Sequence, residues 1–62
     1  MTVSVYRLKE NGERKKTHTV YTGVKHIEKI EFERIVRLTI VHWNNEIEID
    51  VPMDGHEIDV EW

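Results

Sequence analysis

The chain has 62 residues, 39% hydrophobic and 34% charged, with 12 acidic and 9 basic side chains and a formal net charge of −3. That is one small domain, 1–62, with little room for a deep cleft, because a chain this short hides only about 60% of the surface its unfolded form exposes. The lack of cysteine excludes disulfides and thiolate zinc sites, the apolar content argues against a disordered tail, and neither a membrane-spanning run nor a signal-peptide pattern is present, so a compact cytoplasmic domain is expected.

Thr2 to Lys9 is rich in β-branched residues and reads as a first strand. Asn11-Gly12 follows, a dipeptide suited to a tight hairpin turn because its residues tolerate positive φ. A two-residue loop would pair Lys9 with Arg14. A three-residue loop would pair Glu10 with Arg14 and set Lys9 against Lys15. Both registers stay open. Thr17 to Thr22 reads as the second strand, and Gly23 marks a bulge or bend.

The next stretch is ambiguous. Val24, Ile27 and Ile30 are spaced by three, which permits a helical turn or two, but Phe32 breaks the spacing and no N-cap precedes Val24. The reading adopted is a strand end running into a loop or single turn, with a short helix as the alternative.

Ile35 to Trp43 is apolar on both faces: Val36, Leu38 and Ile40 on one, Ile35, Val41 and Trp43 on the other. This is the pattern of a central strand. With Asn44-Asn45 as a two-residue loop, His42 faces Ile47, Ile40 faces Ile49, and Leu38 faces Val51. Glu46 to Val51 and Glu57 to Trp62 alternate strictly, each with one apolar face. Joined through Asp54-Gly55, they would pair Val51 with Ile58, Ile49 with Val60, and Ile47 with Trp62. That register sets Asp50 against Asp59 and Glu48 against Glu61. Like charges directly opposite cost up to roughly 1 kcal/mol per pair, less than burial of one Ile or Val returns.

Charge divides along the chain. All nine Lys and Arg lie between Arg7 and Arg37, so residues 1–45 carry +4, while 46–62 carry seven carboxylates and no basic residue. The basic patch to consider is Arg7, Lys9, Arg14, Lys15 and Lys16. The acidic face is Glu48, Asp50, Asp59 and Glu61. Both read first as solvated surfaces, and second as mutually attracting portions of one chain or of two.

No motif carries catalysis. Ser4 is the only serine and lies within a strand, no glycine-rich phosphate loop exists, and the four histidines form neither an i, i+4 pair nor a His-x-His. His42 falls on the core face, where a backbone hydrogen bond accounts for it as well as metal ligation does. We therefore expect no catalytic residue, no metal, no cofactor and no turnover.

Three runs are distinctive: Val20-Tyr21-Thr22-Gly23-Val24-Lys25-His26-Ile27; Leu38-Thr39-Ile40; and Ile49-Asp50-Val51-Pro52-Met53 with Ile58-Asp59-Val60. Together they resemble short uncharacterised β proteins encoded by Gram-positive bacteria and their phages, over roughly residues 18–62. The resemblance implies a small β fold and carries over no activity and no functional residue.

The expected fold is an all-β antiparallel meander of four or five strands, curled into a small open barrel or sandwich. Its core would draw on Val3, Val5, Val20, Val24, Ile27, Val36, Leu38, Ile40, Ile47, Ile49, Val51, Ile58 and Val60. The expected function is a non-enzymatic interaction module that binds another protein or itself. Ile35, Val41 and Trp43 are the candidate interface of a homodimer, since a short chain has little left to cover them. The alternative is a small nucleic-acid-binding domain using the basic first hairpin, with Tyr6 and Tyr21 as stacking faces.

Overall fold

The computed structural model describes all 62 residues. They form six antiparallel strands and no helix: β1 (Thr2–Leu8), β2 (Arg14–Tyr21), β3 (His26–Glu31), β4 (Ile35–Val41), β5 (Glu46–Pro52) and β6 (His56–Glu61). The strands make two three-stranded sheets, ordered β2-β1-β6 and β3-β4-β5. The body measures 38 × 26 × 16 Å.

The sheets share one core. Val3, Val24, Leu38, Ile40 and Val51 are its buried residues, with Val5, Ile27, Ile49, Ile58 and Val60 among those packed against it. Strand alternation sorts the side chains as expected: Val36, Leu38 and Ile40 point inward, so Ile35, Arg37, Thr39 and Val41 face out. Val20 departs from the expected core. It sits opposite Ser4 on the outer face of its sheet and is 45% exposed.

The all-β antiparallel fold holds, but the strands form two sheets and not one meander, and the strand count is six, not four or five. The additional strand is β3, in the stretch read as a loop or turn. Its pairing explains the misleading spacing: Ile27 stands opposite Ile40 and points inward, whereas Ile30 stands opposite Arg37 and points outward. Val24 belongs to the corner between sheets. It exchanges backbone hydrogen bonds with Met1 at 2.8 and 2.9 Å, while the Lys25 N–H donates to the Val41 carbonyl at 2.8 Å. The chain thus leaves one sheet and enters the other within two residues. Gly23, at φ +64°, supplies the bend.

The β4–β5 hairpin keeps its expected faces and slips by two residues. Ile40 pairs with Ile47, Leu38 with Ile49, and Val36 with Val51. The turn centres on Trp43-Asn44, with the His42 N–H bonded to the Asn45 carbonyl at 2.8 Å. No non-glycine residue takes positive φ, so the Asn44-Asn45 turn does not form. The observed register gains the pair of Arg37 with Asp50 and keeps every inner apolar match.

The first hairpin closes through the three-residue loop Glu10-Asn11-Gly12, with the Lys9 N–H donating to the Glu13 carbonyl at 2.7 Å and the Gly12 N–H to the Lys9 carbonyl at 2.9 Å, so neither expected register forms. Leu8 pairs with Arg14 and Tyr6 with His18, so a bulge of β2 at Lys15, Lys16 and Thr17 lies opposite Arg7 alone.

The largest correction is β6. It does not pair with β5; it pairs with β1, setting Val5 opposite Ile58 and Val3 opposite Val60. Two features of β5 disfavour the expected hairpin. Pro52 has no N–H for a ladder and suits an edge strand, and the expected register juxtaposes carboxylates. Against β1, Glu57, Asp59 and Glu61 meet Tyr6, Ser4 and Thr2 instead.

Candidate functional site: an apolar sheet face and a basic groove

The outer face of β3-β4-β5 is ordered by the same ladders. At the end near the β3–β4 turn, Ile30 and Phe32 lie beside Ile35 and Arg37, which lie beside Pro52 and Asp50. Ile30 is 55% exposed and Phe32 45%. Four apolar side chains thus stand on one open face of a molecule that buries only five. The Arg37 guanidinium crosses this patch 5.0 Å from the centre of the Phe32 ring. It donates to both carboxylate oxygens of Asp50, at 2.8 and 3.2 Å, and lies 3.6 Å from Glu48. This fork lowers the Asp50 carboxyl below its ordinary range, chiefly through the hydrogen bond.

The candidate interface Ile35, Val41 and Trp43 is therefore not one patch. Ile35 and Val41 occupy opposite ends of β4, about 20 Å apart at the strand rise, and Trp43 projects from the turn, 78% exposed with the Lys25 ammonium 4.7 Å above its ring. Ile35 keeps its place in the patch, while Ile30, Phe32 and Pro52 were missed. The acidic face also divides. Glu48 and Asp50 lie on the outer face of β3-β4-β5, whereas Asp59 and Glu61 lie on the outer face of the other sheet, because β6 joined β1. Trp62, expected opposite Ile47, is 94% exposed.

The basic patch splits by the same alternation. Arg14 reaches Glu57 on the outer face of β2-β1-β6, and its guanidinium lies 4.1 Å from the centre of the Tyr6 ring. The hydrogen bond it donates to Glu57 is the main reason its pKa is raised. The other side of Tyr6 is taken by His18, stacked at 4.4 Å. Lys9 stands at the turn, where its backbone holds the loop. Arg7, Lys15 and Lys16 line a groove of about 790 Å³ between the sheets, together with Tyr21, Val51 and His56.

Three of the four histidines are held by backbone, and His26 lies near Glu28. His42 Nε2 donates to the Thr22 carbonyl at 3.2 Å, tying the end of β4 to the end of β2, and its buried Nδ1 has no partner. His56 Nδ1 donates to the Asp54 carbonyl at 2.9 Å. No three His, Asp or Glu side chains converge as metal ligands would, and no helix is long and apolar enough to cross a membrane.

No protein-family model, curated protein or solved structure matches this chain.

Proposed function

We propose that the protein is a non-enzymatic interaction module that associates with a second copy of itself through the outer face of β3-β4-β5. The observation that carries this reading is the exposed patch of Ile30, Phe32, Ile35 and Pro52. Exposed contiguous apolar surface marks contact sites. The charge on this face favours a second copy. The patch lies at the β3–β4 turn end, whereas Glu28, Glu46 and Glu48 lie toward the other end. Two copies overlapping turn end to turn end, related by a twofold axis, cover the apolar side chains and leave Glu28, Glu46 and Glu48 at opposite ends in solvent, while Asp50 stays neutralised by Arg37. Arg34, at the same turn and without an ion pair, then lies near the partner's edge of the face.

The overlap is small: three strands about 5 Å apart by half a strand length. It falls below the standard interface class, so the dimer is weak, with a dissociation constant of about 0.1–1 mM. Sedimentation equilibrium up to about 1 mM tests it. The expected result is a reversible rise toward dimer mass that Phe32→Glu abolishes. A monomer mass throughout, or a dimer unaffected by Phe32→Glu, would overturn the reading. The nucleic-acid alternative has less support, because Tyr6 is covered on both sides and Arg14 is paired. A mobility shift at low salt that weakens steeply with ionic strength would restore it.

A further inference from the structure

The groove between the sheets carries a second binding surface. Its walls come from β1 and β2 on one side and from Ile49 and Val51 of β5 on the other, with His56 at one end. Three facts converge there.

Arg7, Lys15 and Lys16 all line it, and none belongs to any of the four ion pairs in the molecule, which join Arg14 to Glu57, His26 to Glu28, and Arg37 to Glu48 and Asp50. The one carboxylate on the lining is Asp50, already held by Arg37. The groove therefore presents uncompensated positive charge in a protein whose net charge is −3.

The bulge of β2 places Lys15, Lys16 and Thr17 opposite the single residue Arg7, so three cations gather within one short stretch of sheet. An unbulged ladder would spread the same residues over alternate faces.

Both strands that flank the groove are edge strands: β2 has only β1 as neighbour, and β5 only β4. Their free edges carry backbone donors and acceptors in a row, a template for an added strand. An anion alone satisfies the cations and leaves those edges unpaired. An extended peptide satisfies both, since it offers N–H and C=O groups along its length and carboxylates on alternate side chains.

The geometry points to an acidic, extended peptide segment of a partner protein, docked in this groove by strand addition at β2 or β5 with its carboxylates on Arg7, Lys15 and Lys16. The groove borders the apolar face at Asp50 and Pro52, which line both.

The test is fluorescence anisotropy with a fluorescein-labelled alternating Glu-Thr octapeptide at low to moderate salt. Four comparisons accompany it: an alternating Lys-Thr octapeptide, the Glu-Thr peptide with alternate amides N-methylated, oligothymidylate of similar charge, and the protein variants. The expected result is saturable binding of the Glu-Thr peptide, none of the Lys-Thr peptide, and loss of about tenfold or more in affinity both on N-methylation and in Lys15→Glu/Lys16→Glu. Lys15 and Lys16 are exposed, so that variant folds, as its circular dichroism will show. Lys29→Glu, away from the groove, binds as the wild type does. Three results would each overturn the proposal: no binding of the Glu-Thr peptide; equal binding of the N-methylated peptide, which reduces the site to simple charge attraction; or tighter binding of oligothymidylate, which makes the groove a phosphate-backbone site.

Discussion

Arg37 shows how one side chain ties the register of the sheet to its surface chemistry. It sits opposite Asp50, forks onto that carboxylate, and lies over Phe32. Because the Asp50 pKa in the folded protein lies below its ordinary 3.8, the pair stabilises the fold fully above that value. Its contribution fades as pH falls through the lower, folded-state pKa. Asp50→Asn is expected to lose less stability than the wild type as the pH falls below 3.8, as read from urea midpoints; parallel curves would contradict the pairing. Leu38 tests the core in the same way. It is fully buried in a cluster of five, and Leu38→Ala removes about 2–5 kcal/mol. A domain this size has only about 3–9 kcal/mol in total, so the variant should lose a large share of its stability, read as a much lower urea midpoint or no folded baseline at 25 °C. An unchanged midpoint would mean that the core lies elsewhere. The sequence marked Leu38, Ile40 and Val51 as core through their alternation. It did not mark Asp50 as Arg37's partner, because that depends on a turn one residue earlier than the Asn-Asn pair suggested, which shifts the pairing by two.

At the scale of elements, alternation carried the reading wherever a strand has one apolar and one polar face. β5 and β6 are such strands; the central β4 is legible instead from a run that is apolar on both faces. It failed at β3, a short edge strand with one apolar residue inward, one outward and four charged or histidine positions besides. Nothing in that pattern repeats at period two, and its pairing to β4 supplies what its own sequence lacks. The corner before it turns on a single glycine. Gly23 holds φ +64°, and an added Cβ there meets nothing within 4 Å, so any cost of substitution is backbone strain alone. Gly23→Ala is expected to destabilise by about 1–2 kcal/mol. A synthetic chain with D-alanine at position 23 should be at least as stable as the parent, since the mirror-image residue favours positive φ. Equal stability of both alanine forms would contradict the assigned corner.

For the whole molecule, the sequence reading went astray over which strands are neighbours. Ile47, Ile49 and Val51 match Ile58 and Val60 as well across a core as side by side, and the turn at Asp54-Gly55 serves either arrangement. The side-by-side version leaves carboxylates in register. The observed one sends β6 to β1 and separates Asp50 and Glu48 from Asp59 and Glu61 by the thickness of the molecule. That choice also creates both candidate surfaces. It leaves β2 and β5 as the free edges that flank the basic groove, and it leaves the outer face of β3-β4-β5 uncovered. The sequence contained every residue of these surfaces. Ile30 and Phe32 were hidden because the stretch that holds them gave no strand signal. Arg14 was grouped with Arg7 because their separation to opposite faces depends on the bulge. The central claim, that the uncovered apolar face joins two copies, is tested most directly by following backbone amide chemical shifts as the protein is diluted from about 1 mM to a tenth of that. The account predicts concentration-dependent shifts confined to the face, at Ile30, Phe32, Ile35 and Arg37. Shifts absent over the whole range, or confined to β1 and β6, would contradict it.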